Sequence, residues 1–167
     1  SIDLAVQEFN LPLIAKALVA KHQSGVRVRL ILDNNYSRVL SSLKQSEIEQ
    51  LNQRERLKYD RFFELVDINR DRNLSKSEIS QRDALFIVKN AGISLIDDTA
   101  DGSKGSGLMH HKFMIVDGQK VVIGSANFTL SGIHGDMENL DTLGNVNHLL
   151  VIKNQRVADL FSEEFNY

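Results

Sequence analysis

Residues 1–33 read SIDLAVQEFNLPLIAKALVAKHQSGVRVRLILD, and their pattern sets the architecture. Apolar and polar residues alternate from Ile2 to Phe9, which is typical of a strand, and residues 11–20 carry apolar residues at helical spacing. Gly25 ends that helix, and an apolar, β-branched run follows from Val26 to Asp33. A strand, a helix and a strand in this order form a βαβ unit, so the sequence predicts a parallel pairing at its start.

The composition is that of a globular protein that forms one domain from 167 residues, of which 42% are hydrophobic and 25% are charged. Cysteine is absent, which excludes disulfides and thiolate metal sites and slightly favours the cytoplasm. No apolar run has the roughly 18–20 residues that a transmembrane helix needs. The formal net charge of −2 differs from the large basic excess of proteins that coat duplex DNA.

The rest of the chain alternates between strands and helices around one polar segment. Residues 34–90 are dominated by charged and polar residues, with helical patches at 46–52, 61–66 and 78–89, which predicts a helical insertion. The remaining elements are predicted strands at Ile93–Ile96, Met109–Val116, Val121–Ile123 and Leu149–Ile152, and a closing helix at Val157–Phe165. Asp117-Gly118 predicts a tight turn between the second and third of these strands. Together they predict an α/β fold: a mixed, mostly parallel sheet with helices on both faces.

The chemistry is concentrated between residues 109 and 130. There His110-x-Lys112 is followed by Asp117 and then by Gly124-Ser125-x-Asn127. The spacing resembles the phospholipase D superfamily signature H-x-K-x4-D-x6-G-S-x-N without gap or substitution. Side chains i and i+2 of a strand share one face, so we expect His110 and Lys112 to project together.

The resemblance implies a role for each residue of the motif. His110 would attack phosphorus and form a phosphohistidine, and a histidine from a second copy of the motif would protonate the leaving oxygen. Lys112 and Asn127 would hold the nonbridging oxygens, and Ser125 would add a hydrogen bond. Asp117 would anchor the turn after the strand. This chemistry requires no cofactor.

Two departures from the family pattern are visible. The first strand and helix of the family are absent before residue 1, which predicts an N-terminally truncated domain over 1–167. Where the family often has N-x-E-N, with a glutamate that orients the nucleophile, this sequence has Asn147, and Glu138 is a weaker candidate for that role. Single-motif relatives act as symmetric homodimers with one site on the two-fold axis, and the same is expected here.

The sequence motifs leave three functions open. A nonspecific endonuclease acting on DNA or RNA is favoured by the small size and the lack of a membrane-binding stretch. A phospholipase D-type phospholipid hydrolase is the first alternative. A calcium-responsive binding module with a decayed site is the second.

The calcium alternative comes from a second motif, within the insertion at residues 67–78. The sequence DINRDRNLSKSE resembles the EF-hand loop, with oxygen-bearing ligands at Asp67, Asn69, Asp71, Asn73, Ser75 and Glu78. Position 6, normally glycine because the turn needs a positive φ, is Arg72. The pattern predicts a weak structural Ca²⁺ site.

Overall fold

A computed structural model describes residues 1–102, 107–135 and 141–166. Its centre is a six-stranded sheet in the order β3-β2-β1-β4-β5-β6. The strands are β1 (Ile2–Val6), β2 (Val28–Leu32), β3 (Ser94–Asp97), β4 (Lys112–Val116), β5 (Lys120–Gly124) and β6 (Leu149–Lys153).

The mixed α/β sheet predicted from the sequence is confirmed, with a smaller parallel share than expected. Among the described strands, β1–β2 and β2–β3 pair in parallel. β1–β4, β4–β5 and β5–β6 pair antiparallel. The antiparallel half starts from a hairpin, because Asp117 (φ 53°) and Gly118 (φ 60°) form the tight turn between β4 and β5.

Seven α-helices lie in the described part of the chain. They are α1 (Pro12–Gln23), α2 (Gln45–Glu49), α3 (Gln53–Val66), α4 (Lys76–Arg82), α5 (Ala84–Asn90), α6 (Leu130–Ile133) and α7 (Gln155–Asn166). The helical patch expected at residues 78–89 is two helices, because Asp83 leaves helical geometry at ψ 104°. Its side chain accepts from the Phe86 N–H and so begins α5.

Both faces of the sheet are covered, as predicted. Leu4 and Val6 of β1 point to a core built with α1 and α5, whereas Ala5, between them, packs on the other face against α7. This alternation makes β1 a strand buried on both sides. The helix α5 therefore belongs to the main core, while α2, α3 and α4 extend beyond it.

No helix of the described residues is both long enough and apolar enough to cross a membrane.

Candidate active site

The candidate site lies where β1 ends and β4 begins. Val6 pairs with Lys112, and the Gln7 N–H donates to the His111 carbonyl at 3.0 Å. On the other side, the Phe128 N–H donates to the Glu8 carbonyl at 3.1 Å. The end of β1 therefore joins the segment before β4 to the segment after β5, which together carry the motif.

Gln7 connects the two phosphate-binding candidates and was not identified from the sequence. Its Oε1 accepts from Lys112 Nζ at 3.3 Å and from Asn127 Nδ2 at 3.1 Å. The residue is only 7% exposed. A buried amide oxygen shared by two donors fixes the ammonium and the amide side by side, as binding of one anionic oxygen requires.

His110 lies outside the strand on which it was predicted. β4 begins at Lys112, so His110 belongs to the extended segment just before it, and its carbonyl accepts from Lys112 Nζ at 3.0 Å. The residue is exposed. Among the described residues, no hydrogen bond reaches its imidazole, which leaves the ring open to a ligand.

Asp33 holds the start of this segment in place. It is fully buried at the end of β2, and its Oδ2 accepts from the Met109 N–H at 3.1 Å. Its Oδ1 accepts from the backbone and side-chain N–H groups of Asn35. The aspartate therefore positions the residue next to His110. The sequence signal that could have identified Asp33 is its position as a carboxylate at the end of a buried strand.

Ser125 and Asn147 are brought together by a hydrogen bond. Ser125 Oγ donates to Asn147 Oδ1 at 2.9 Å and accepts from the His148 N–H at 2.9 Å. The Asn147 amide donates to the carbonyls of Gly132 and Asn145. All its hydrogen bonds in the described residues therefore go to Ser125 and backbone, and Asn147 orients the serine loop. Glu138 lies outside the described residues.

Asp117 is remote from the other motif residues. It follows the last residue of β4, whereas Lys112 is the first, and a strand rises about 3.3 Å per residue. The two positions are thus roughly 16 Å apart along the strand. Asp117 lies in the β4–β5 turn, where the resemblance implies an anchoring role.

The electrostatics of the site involve a second residue that sequence reasoning missed. Burial raises the pKa of Glu8 above its ordinary value, although the charges of Lys58, Arg61 and Lys112 oppose the shift. Burial likewise lowers the pKa of the Lys112 ammonium, which the nearby Glu8 partly offsets. The cation and the carboxylate thus lie within electrostatic range in a partly dehydrated region, where charge–charge interactions are strong.

A cavity of about 500 Å³ opens beside Glu8, between the sheet and the insertion. The polar part of its lining contains the cations Arg38, Arg54 and Lys58 with Tyr36, and also the carboxylates of Glu8, Glu55 and Asp83. The Lys58 ammonium lies 3.7 Å from the centre of the Tyr36 ring. Another part is apolar, formed by Leu40, Leu43, Leu51, Phe62, Leu85 and Leu108. The insertion thus supplies a wall to the space next to the motif.

The metal candidates of residues 67–78 lie apart from this motif, in the loop that joins α3 to α4. In the part of the chain that the structure describes, no three His, Cys, Asp or Glu side chains form a metal-binding cluster. The motif residues contain donors suited to phosphate instead.

Gln7→Glu is expected to lower turnover about 100-fold or more, because a carboxylate between Lys112 and Asn127 would repel phosphate and neutralise the ammonium. Initial rates and thermal melting measure the effect. Gln119→Glu, the same change in an exposed position near the β4–β5 turn, is the control and should leave activity unchanged. Equal rates for both variants would show that Gln7 does not position the site.

Comparison with known proteins identifies relatives of the whole sequence. A family model described as "Cardiolipin synthase, PLD-like domain" matches residues 1–167. Mitochondrial cardiolipin hydrolase from Xenopus tropicalis is 26% identical over 165 residues, covering 99% of this chain and 52% of the relative. The Homo sapiens protein of that name is 27% identical over 165 residues, covering 99% and 44%. The chain thus spans about half the length of the curated relatives it matches.

Solved structures share the fold. Nuc from Salmonella typhimurium, described as a phospholipase D family member, superimposes with a TM-score of 0.55 at 23% identity. The match covers 99% of this chain and 74% of Nuc. NucT from Helicobacter pylori gives a TM-score of 0.50 at 15% identity, covering 99% and 76%. At these identities the likeness concerns the fold alone.

Proposed function

We propose that this chain, which belongs to the phospholipase D-like family, is a nuclease. It hydrolyses phosphodiester bonds in nucleic acids through a phosphohistidine on His110. The observation that carries the proposal is the Gln7-centred pairing of Lys112 with Asn127 beside an unobstructed histidine. An ammonium and an amide held side by side can bind the nonbridging oxygens of one phosphate.

The reaction runs in two displacements. An imidazole nitrogen of His110 attacks phosphorus, the bond to the leaving oxygen breaks, and the partner's His110 gives that oxygen a proton. The partner's His110, now neutral, then takes a proton from water as the water oxygen attacks phosphorus. The phosphorus–nitrogen bond breaks, which restores His110 and releases a phosphomonoester. Lys112 and Asn127 stabilise negative charge on the nonbridging oxygens in both steps.

The second histidine is proposed to come from a second copy of the chain, because residues 1–167 contain one motif. A surface suited to that copy lies next to the site. β6 is the last strand of the described sheet and pairs only with β5 there. Its apolar residues are open to solvent, with Leu149 72%, Leu150 57% and Val151 53% exposed. An uncovered apolar edge strand is a template for association.

The apolar surface continues to the motif. Leu149 pairs with Gly124, the residue before Ser125, and the Ser125 N–H donates to the His148 carbonyl. Val146, in the loop before β6, is 95% exposed. Association through β6 and this loop would therefore place a two-fold axis close to Ser125, and a symmetric interface there brings equivalent residues of both copies together.

Nucleic acid as substrate is supported by the basic wall of the cavity. Arg54 and Lys58 lie on the insertion, beside the site but outside the motif, whereas the nearby Arg38 is paired with Glu47. A polyanion carries phosphates on both sides of the scissile bond, so cations away from Lys112 can bind it.

Phospholipid is a second candidate, favoured by two specific observations. The matched relatives are named mitochondrial cardiolipin hydrolase. The apolar side of the cavity, which includes Leu43, Leu51 and Phe62, offers surface for an acyl chain next to the same cations.

The test compares plasmid DNA, single-stranded RNA and cardiolipin-containing vesicles, each with and without EDTA. We expect cleavage of nucleic acid that survives EDTA and disappears in His110→Ala. Vesicle hydrolysis alone would replace the nuclease proposal by the phospholipid one. Loss of cleavage in EDTA, restored by Mg²⁺, would contradict the metal-free mechanism. If the protein is a folded dimer and cleaves none of these substrates, both hydrolase proposals would be contradicted and the noncatalytic binding module would be favoured.

A further inference from the structure

The loop between α3 and α4, residues 67–78, contains a buried carboxylate oxygen without a partner. Asp67 is 7% exposed, and its Oδ2 accepts from the Arg72 N–H at 3.0 Å across the loop. That bond directs the carboxylate into the loop. Its other oxygen, Oδ1, is buried and has no hydrogen-bond partner in the described structure. Burying such an oxygen without a donor or a cation is costly.

A second buried carboxylate closes the same loop. Glu78, also 7% exposed, has an Oε1 that accepts from the N–H groups of Ile68 at 2.9 Å and Asn69 at 3.3 Å. Its Oε2 accepts from Ser75 Oγ at 2.6 Å. Within the described residues, neither Asp67 nor Glu78 forms an ion pair.

The intervening residues add further oxygens, without nitrogen or sulfur, although no three carboxylates of the described residues already form a metal-binding cluster. Asn69 and Asp71 turn their side chains back on the loop, since Asn69 Oδ1 accepts from the Asp71 N–H and Asp71 Oδ1 from the Asn73 N–H. Carboxylate, amide, hydroxyl and backbone carbonyl oxygens are the ligands that Ca²⁺ takes, six to eight at a time. The set has only three carboxylates, Asp67, Asp71 and Glu78.

We propose that residues 67–78 bind one Ca²⁺ ion, with Asp67 Oδ1 as the oxygen that the ion satisfies. Asp67, Asn69, Asp71, Ser75 and Glu78 supply side-chain oxygens, and Asn73 supplies its carbonyl. The ion would link the end of α3 to the start of α4. Because α3 provides Arg54, Lys58 and Phe62 to the cavity wall, the ion stabilises that wall without taking part in the chemistry.

Arg72 weakens this site without preventing its shape. The sequence predicted that a nonglycine residue would resist the turn, yet Arg72 adopts φ 62° and Arg70 adopts φ 59°. Both conformations lie in the left-handed region, which a nonglycine residue adopts at an energetic cost. The guanidinium also adds positive charge near the ion. We therefore expect a dissociation constant of about 10⁻⁵ to 10⁻³ M, toward the weak end for such loops.

The experiment titrates the intact protein with CaCl₂ by calorimetry and follows its melting temperature, with MgCl₂ at equal ionic strength as the reference. Wild type should release or absorb heat and melt at a higher temperature in Ca²⁺ than in Mg²⁺. Glu78→Gln should lose most of the shift, and Glu64→Gln, the same change at an exposed position of α3, should keep it.

Arg72→Gly is the informative second variant, because it should fold at least as well as wild type and bind Ca²⁺ more tightly, by about 10-fold or more. A wild-type protein that shows no heat and no melting shift at about 10 mM Ca²⁺ would overturn the proposal. So would an equal response to Mg²⁺, or an Arg72→Gly variant that gains stability without gaining affinity.

Discussion

Alanine at position 110 is expected to abolish phosphodiester hydrolysis, lowering turnover on the order of 10⁴-fold or more while the protein stays folded. The expected loss is large because the imidazole is the proposed nucleophile and, in the partner, the proton donor. The fold should survive because His110 is exposed and its ring forms no hydrogen bond among the described residues. Steady-state rates and a thermal melt of His110→Ala measure both quantities.

The neighbouring histidine is a matched control. His111 Nε2 lies 2.9 Å from a Glu164 oxygen, and its ring packs edge-on against Phe113 at 5.3 Å between centroids. These contacts attach the segment to α7, so His111→Ala should lower the melting temperature slightly and leave turnover near wild type. If His111→Ala eliminated turnover and His110→Ala did not, the proposed nucleophile would be wrong.

Leu150→Lys is expected to separate the proposed dimer and remove activity with it, because a charge on β6 would be buried in the interface without a partner. Light scattering gives the mass, and rates at the same concentration give the activity. Leu160→Lys on α7 is the control, since Leu160 and Leu150 are 58% and 57% exposed. The control should stay dimeric and active.

Mixing provides an independent measurement of the shared site. When equal amounts of wild type and His110→Ala exchange subunits, mixed dimers form that have only one intact histidine. These mixed dimers should be inactive, so the activity of the mixture should fall to that of the remaining wild-type dimers. Activity in proportion to the wild-type chains alone would contradict the shared site, as would a fully active wild-type monomer.

Local patterns account for the parts of the fold that could be predicted from the sequence. The βαβ unit and the β4–β5 hairpin follow from periodicity and from Asp117-Gly118, which act over a few residues. Asp83 was missed as a helix boundary because the apolar spacing continues across it. Only its ψ of 104° and its capping bond divide α4 from α5.

Local patterns also explain why only part of the site could be predicted from the sequence. The motif places Lys112 and Asn127 within fifteen positions of each other, and the structure brings both to one amide. That amide, Gln7, is separated from them by 105 and 120 residues, so no local pattern could connect it to them. Asp33 is likewise 76 residues from Met109. The sequence could not show that β4 begins at Lys112, because residues 109–111 have a strand-like composition although they do not pair as part of a strand.

The central position of β1 has a consequence for the folding pathway. The first strand of the sequence lies between β2, which follows it closely, and β4, which is more than one hundred residues away. Contacts at such separation form late, because the chain must close a long loop before it gains their stabilisation. Residues 1–33 can form their own parallel pair early, but Gln7 meets Lys112 only when β4 is added. Catalytic competence should therefore return during refolding with the last, slowest phase, after most of the helical structure is already present.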